Sequence, residues 1–339
     1  MYENRRSLIK RIESLRGSKA LVYVTGDRPG LATQIHPEVL DLFVDHLDRI
    51  TGKRSIEKLS LILYTRGGHT IAAWSLVNLL RQFADTLEVI VPYKAHSAGT
   101  ILCLGADCIV MTKQAQLSPI DPSHNGPLNP PIPGVQQGTV PVSVEAINGY
   151  VDLARQDLGL EAGPELAQVL TALSDKVHPL VLGETYRARS QIRMIARRLL
   201  SQRVVNEDQI ERVVSFLTAD SGSHDYTINR REAKDDLGLP IEKPNDELYD
   251  CIRGLYLDVR EELQLNEPYN PHELFGTSDE VPYRLVQGLI ESSDHGSHAF
   301  VREGVMRRLS GKNPNGLPQV LINDQPQFQG WRHEPHNGK

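Results

Sequence analysis

Cysteine is scarce in this sequence. Its 339 residues include three, Cys103, Cys108 and Cys251, spaced too irregularly to suggest a disulfide framework. They form no CxxC pair and are joined by no His/Cys spacing of the zinc-site kind, so neither a structural metal nor an oxidising compartment is expected. Long apolar runs are missing as well: no window approaches the roughly 20 apolar residues of a membrane span. The N-terminus, Met1-Tyr2-Glu3-Asn4-Arg5-Arg6, is polar and leads into Leu8, Ile9, Ile12 and Leu15 at helical spacing instead of an apolar signal region, and the expected location is cytoplasmic. The net charge is −6, with both signs mixed along the chain and no concentrated basic stretch, which argues against a nucleic-acid partner. There is no GxGxxG after a strand to cradle a dinucleotide and no GxxxxGK[ST] to bind a nucleoside triphosphate, so no cofactor is expected and any ATP-driven unfolding would come from another chain.

What is present is enough apolar residue, 40% of the chain, to bury a full core. The first third alternates short β-branched runs (20–25, 59–64, 87–92, 108–111) with amphipathic stretches (37–50, 70–83), the pattern of βα units and a parallel sheet. Residues 97–106, small and apolar, suit a buried helix. A segment rich in Pro, Gly and Asn from Leu117 to Pro141 reads as a long irregular loop, a candidate lid over a site. Helical periodicity then dominates 146–158, 164–173, 180–200 and 207–217, and returns at 230–236 and 248–263. The expected division is an N-terminal helix over 1–18, a main α/β domain over 19–240, a helical extension over 241–310 and a loosely ordered tail over 311–339.

Two glycine-containing turns follow apolar strands: Tyr64-Thr65-Arg66-Gly67-Gly68-His69 and Ala95-His96-Ser97-Ala98-Gly99-Thr100. A Gly-Gly pair lets the backbone approach a ligand closely and aim N–H groups at a developing negative charge. A serine at a helix start, flanked by small residues, has the helix dipole to favour its alkoxide. The plainer readings are that Ser97 caps its helix and Gly67-Gly68 makes a tight turn.

Together with Leu117-Ser118-Pro119-Ile120-Asp121-Pro122 and the stretch from Ser221 to Ala233, these motifs resemble the serine dehydrogenase proteinases, a group within the Clp-protease and signal-peptide-peptidase superfamily. The resemblance runs from about residue 20 to residue 305. It implies a crotonase-like core of parallel βα units with a helical handle layer, a serine peptidase with Ser97 as nucleophile, and an oxyanion hole formed by the backbone N–H groups of Gly68 and Ala98. It also implies a peptide or protein substrate and a homo-oligomer, with a partner protein as a possible activator. The general base is not carried over. The register of the Clp histidine falls on Asp121, with His124 three residues on, and the stretch from Val140 to Val144 has no lysine where the signal peptide peptidases place theirs. Asp225 matches the position of the triad aspartate, as an orienting acid. His124, His224 beside Asp225, and Lys176 are the candidate bases. Each has a plainer reading: His224-Asp225 as a helix cap, Asp121 in an Asp-Pro turn, His124 as a loop residue and Lys176 as a surface residue. The competing functions are a catalytically inactive scaffold or regulatory subunit of the same fold and an acyl-coenzyme A-binding relative.

Overall fold

The computed structural model describes residues 2–52, 55–120, 123–124, 126–132, 138–161, 163–204, 206–220, 223, 225–312 and 318–334. In chain order the elements are α1 (Tyr2–Arg16), β1 (Lys19–Thr25), α2 (Val39–Thr51), β2 (Ile56–Tyr64), α3 (Thr70–Phe83), β3 (Ala84–Val91), β4 (Lys94–Ala95), α4 (Ala98–Leu104), β5 (Cys108–Met111) and β6 (Gln116–Leu117). Next come β7 (Ser123–His124), β8 (Val142–Ser143), α5 (Val144–Asp152), α6 (Pro164–Ser174), α7 (Pro179–Leu200) and α8 (Glu207–Ser215), with wide π-helical turns at Leu153–Asp157 and Phe216–Asp220. The chain closes with β9 (Ile228–Asn229), α9 (Arg230–Asp235), β10 (Ile241–Glu242), α10 (Asp246–Glu262), α11 (Pro271–Leu274), β11 (Glu280–Ser292), β12 (Gly296–Lys312) and β13 (Pro318–Glu334). It folds into two compact units, one of Met1–Leu117, Asn229–Asp235 and Leu239–Lys339, the other of Ser118–Ile228 and Asp236–Gly238.

The first unit is built on an eight-stranded sheet in the order β10-β5-β3-β2-β1-β11-β12-β13. From β10 to β1 neighbouring strands are parallel; from β1 outward they are antiparallel. The register aligns Val22, Ile62, Ile90 and Val110 in one row across four strands and Leu21, Leu61, Val89 and Ile109 in the next. Successive residues of a strand face opposite sides, so burying both rows requires cover on both faces, and the strands are therefore apolar throughout. The first row packs with Ile9 and Ile12 of α1 and with Ile252, Leu255 and Val259 of α10. On the other face Tyr23 meets Phe43 of α2 edge-on, with ring centroids 5.2 Å apart.

Two expectations are corrected at the C-terminal end. Of the helical extension expected over 241–310, α10 and α11 are helical, but 280–292 and 296–312 are long strands, and 318–334, expected to be loose, pairs with β12 from Ser297↔Glu334 to Lys312↔Pro318. The strand signal in β11 is brief, with Tyr283 and Leu285 buried on either side of exposed Arg284. β13 is an outer strand, which needs few apolar residues, and its Pro326 stands opposite Gly304, where the register shifts. Its Asn, Gln and Pro content therefore reads as disorder in the sequence.

The second unit holds the helical run. Ser143 caps α5, its Oγ accepting from the Glu145 and Ala146 N–H groups at 3.1 and 3.3 Å. Asn206 caps α8 by accepting from the Gln209 N–H at 3.1 Å. Ile192, Ile195 and Leu199 of α7 are buried, as are Ile210, Val213 and Val214 of α8, which packs beside it. Among the described residues no helix is long and apolar enough to cross a membrane.

Candidate active site

The two glycine turns meet in the first unit. The Thr65 N–H donates to the Lys94 carbonyl at 3.1 Å and the His96 N–H donates to the Thr65 carbonyl at 3.1 Å, so the turn after β2 is stitched to the turn after β4. A methyl placed on Gly67 would lie 2.7 Å from Ser97 Cβ and 3.2 Å from the Ala98 nitrogen. Only a glycine lets the two turns come this close.

Ser97 stands between β4 and α4 with φ 51° and ψ −115°, one of two non-glycine residues with positive φ among those described. Such a conformation costs about 1–3 kcal/mol and persists only where its surroundings enforce it. A serine on a sharp strand-to-helix turn of this kind has its Oγ thrust out of the helix start. The capping reading fails on geometry: Ser97 occupies the N-cap position, yet its side chain makes no capping hydrogen bond. Its carbonyl accepts from Thr100 and Ile101 N–H groups at 2.8 and 3.3 Å, and Thr100 Oγ1 fastens the turn by donating to the Ala95 carbonyl at 3.0 Å.

The backbone around Gly68 is fixed by the segment after β1, which carries no local motif in the sequence. The Ile35 N–H donates to the Gly67 carbonyl at 2.8 Å and the His69 N–H donates to the Ile35 carbonyl at 2.9 Å. This bridge uses the peptide groups on either side of Gly68. Backbone groups alternate in direction along an extended segment, so the Gly68 N–H is turned away from Ile35. Among the described residues no backbone carbonyl accepts the N–H of Gly68 or of Ala98, which as the first residue of α4 has no partner within its helix. Thr65, buried, supports the arrangement: its Oγ1 accepts the Gly67 N–H at 2.9 Å and lies 2.6 Å from Thr25 Oγ1.

Lys94, three residues before Ser97, is engaged by Asp27 at 2.7 Å and lies over the rings of Tyr93 and Tyr64 at 5.2 and 5.6 Å. The Tyr64 hydroxyl donates to the other Asp27 oxygen at 2.7 Å, and burial together with that carboxylate raises its pKa above the usual phenol range. His69, exposed beside its turn, has Nε2 3.3 Å from Gln34 Nε2.

The remaining predicted residues belong to the second unit. Asp121 and His224 lie outside the described residues. His124 is in β7, where its backbone pairs with Val142. Asp225 is exposed, its N–H donating to Ser223 Oγ at 3.2 Å. The cap of α9 is Asn229, which accepts from the Arg231 and Glu232 N–H groups, so Asp225 is not that cap. Lys176 is exposed in the turn before α7, without the burial that a role as base required, and His178 caps α7 by accepting from the Leu180 N–H at 3.2 Å.

Residues 42–137, which carry both turns, match the family described as ClpP-like SDH-type serine proteinase. Over that segment the chain is similar to this family. An uncharacterized protein of Methanocaldococcus jannaschii is 27% identical over 198 residues, 58% of either chain. A second uncharacterized protein of the same organism is 36% identical over 64 residues, 19% of this chain and 22% of that one. The chain thus spans less than two thirds of the length of these curated relatives. Among solved structures, ClpP1 from Listeria monocytogenes has a TM-score of 0.37 at 16% identity, covering 70% of this chain and 98% of that one. The membrane-bound stomatin-specific protease 1510-N, in complex with a substrate peptide, has a TM-score of 0.35 at 18% identity, covering 67% and 77%. The family match includes Gly68, Ser97 and Ala98 along with Asp121 and His124, and stops short of Asp225.

Proposed function

We propose that the protein is a serine peptidase that cleaves peptide bonds through an acyl-enzyme on Ser97. The observation that carries this reading is the strained backbone of Ser97 at a helix start, with a hydroxyl not used for capping and a Gly-Gly turn pressed against it. Ser97 Oγ attacks the scissile carbonyl carbon while a base takes its proton. The Gly68 and Ala98 N–H groups then donate to the oxyanion as the C=O bond becomes a C–O⁻ bond. Collapse of the tetrahedral intermediate expels the amine, which leaves with a proton returned by the base, and water hydrolyses the ester on Ser97. The base is drawn from His124 and His224, with Asp121 and Asp225 as carboxylates able to orient it; the exposure of Lys176 removes the main support for a Ser–Lys pair.

The test is a fluorophosphonate probe applied to the full chain and to Ser97→Ala, with the adduct located by peptide mass spectrometry. Labelling confined to Ser97 and abolished in Ser97→Ala is the expected result; a wild-type chain that stays unlabelled in its assembled form overturns it. His124→Ala and His224→Ala then separate the bases, since loss of the base slows labelling by about 10²–10⁴.

The protein is also proposed to act as a homo-oligomer. α7 leaves Leu180 61% and Tyr186 71% exposed, apolar surface of the kind that a second copy covers. Light scattering is expected to give a multiple of the chain mass, and Leu180→Glu with Tyr186→Glu a smaller one.

A further inference from the structure

Four of the twelve histidines, drawn from three separate stretches of the sequence, meet in the first unit: His46 on α2, His295 in the turn between β11 and β12, His298 on β12 and His333 on β13. Their ring centroids are 4.8 Å apart for His46 and His295, 5.1 Å for His46 and His298, 5.5 Å for His295 and His298, 5.2 Å for His295 and His333, and 4.9 Å for His298 and His333. An imidazole nitrogen binds zinc at about 2.0–2.1 Å, so four imidazoles placed tetrahedrally around one ion have ring centroids roughly 5 Å apart and ligand nitrogens roughly 3.3 Å apart. Five of the six ring pairs of this cluster have about that spacing, and His46 Nε2 and His298 Nδ1 are 3.0 Å from each other.

The support around the rings is of the kind metal sites use. His46 is fully buried and its Nδ1 lies 2.8 Å from Ser292 Oγ, which also accepts the His295 N–H at 3.1 Å. A hydroxyl on the far nitrogen fixes the ring and directs the other nitrogen inward. Asp45, one residue before His46, places a carboxylate near His298. His298 is 6% exposed, whereas His295 is half-buried and His333 exposed, so the cluster is closed on the core side and open to solvent on the other.

We propose that His46, His295, His298 and His333 form a binding site for one divalent transition-metal cation, zinc in the first instance, that fastens the outer strand β13 and the β11–β12 turn to α2. His333 Nε2 lies 3.2 Å from the His295 carbonyl, and the nitrogens of the four rings are not gathered at one point as the ligand atoms of Glu88, Cys108 and Glu242 are, within 4.8 Å of each other. Closing the site therefore includes a turn of the two more exposed rings about χ2. The Glu88, Cys108 and Glu242 group is not a competing site, because Arg16 pairs with both carboxylates and Lys58 with Glu88.

Cobalt(II) is the probe. Added to the full chain and followed by visible absorption and native mass spectrometry, it is expected to bind one per chain with the intense bands of tetrahedral coordination, and zinc is expected to displace it. His333→Ala, at an exposed position that leaves the core intact by circular dichroism, is expected to weaken binding by more than about 100-fold, and Ser292→Ala by roughly 10–100-fold, the effect of losing an outer-shell partner. Absence of a stoichiometric tetrahedral spectrum, or wild-type affinity in His333→Ala, overturns the site.

Discussion

At the scale of single residues, the candidate site rests on positions where a side chain is missing as much as on Ser97 itself. Gly99 follows the turn that carries Ser97, and a methyl there would lie 2.5 Å from Thr65 Cγ2 and 3.4 Å from Ala95 Cβ. Thr65 cannot retreat easily, because its Oγ1 holds the Gly67 N–H and meets Thr25. Gly99→Ala is therefore expected to cost about 1–3 kcal/mol by overpacking and to shift the Gly67-Gly68 turn away from Ser97. Urea denaturation reads the first effect and the rate of fluorophosphonate labelling the second; a destabilised protein that labels at the wild-type rate would show that Thr65 does not position the turn. Gly68 is held more tightly still, a methyl there lying 2.4 Å from both the nitrogen and the oxygen of Ile35.

Among elements, α1 is tied down by one buried ion cluster. Arg5, 1% exposed, donates from Nε and Nη2 to the two oxygens of fully buried Glu291 on β11 at 2.8 and 2.7 Å and reaches Asp258 and Glu262 on α10. Removing one partner of a buried pair leaves the other charge uncompensated, at a cost of about 3–5 kcal/mol. Arg5→Met is expected to lower the urea midpoint accordingly, and Glu291→Gln in the same chain to restore part of the loss. No recovery in the double variant would mean that Arg5 acts through packing alone. The sequence displayed α1 as an apolar stripe but gave no sign of Arg5 as a core residue, since an arginine near a chain end ordinarily lies in solvent. Elements with strong local signals were legible in the same way: the helix at Thr70–Phe83 and the strand at Cys108–Met111 fall where periodicity and β-branched residues put them. β12 and β13 were not, because their stability comes from pairing between residues far apart in the chain, to which local pattern is blind. The site divides similarly. Ser97, Gly68 and Ala98 carry local motifs, whereas Ile35 and Thr25 join only through tertiary hydrogen bonds, and the four-histidine cluster joins the close pair His295 and His298 to His46 and His333 from distant parts of the sequence.

Across the first unit as a whole, acid sensitivity is set by charges that the fold has buried. Glu88 on β3 is fully buried and is reached by Arg16 at the end of α1, by Lys58 on β2 at 3.0 Å and by the Ser60 hydroxyl at 2.8 Å, while Arg16 extends to Glu242 on β10. Burial alone would raise the Glu88 carboxyl; the hydrogen bonds and charges of Arg16, Ser60 and Lys58 outweigh it and hold its pKa below the usual range, and Arg16 does the same for Glu242 against a smaller burial effect. A carboxylate whose native pKa is depressed binds its proton more readily in the unfolded chain, so its contribution is complete above the unfolded value of about 4.3 and is lost as pH falls through the lower native value. The urea midpoint is therefore expected to be flat with respect to this network at neutral pH and to drop below about pH 4.3. Glu88→Gln, which cannot take up that proton, is expected to begin less stable at pH 7 and to lose less on acidification. If the variant and the wild type lost equal stability between pH 7 and pH 3, the acid sensitivity would have to reside in other carboxylates, with the Arg5 cluster and its depressed Asp258 the next to examine by the same pair of measurements.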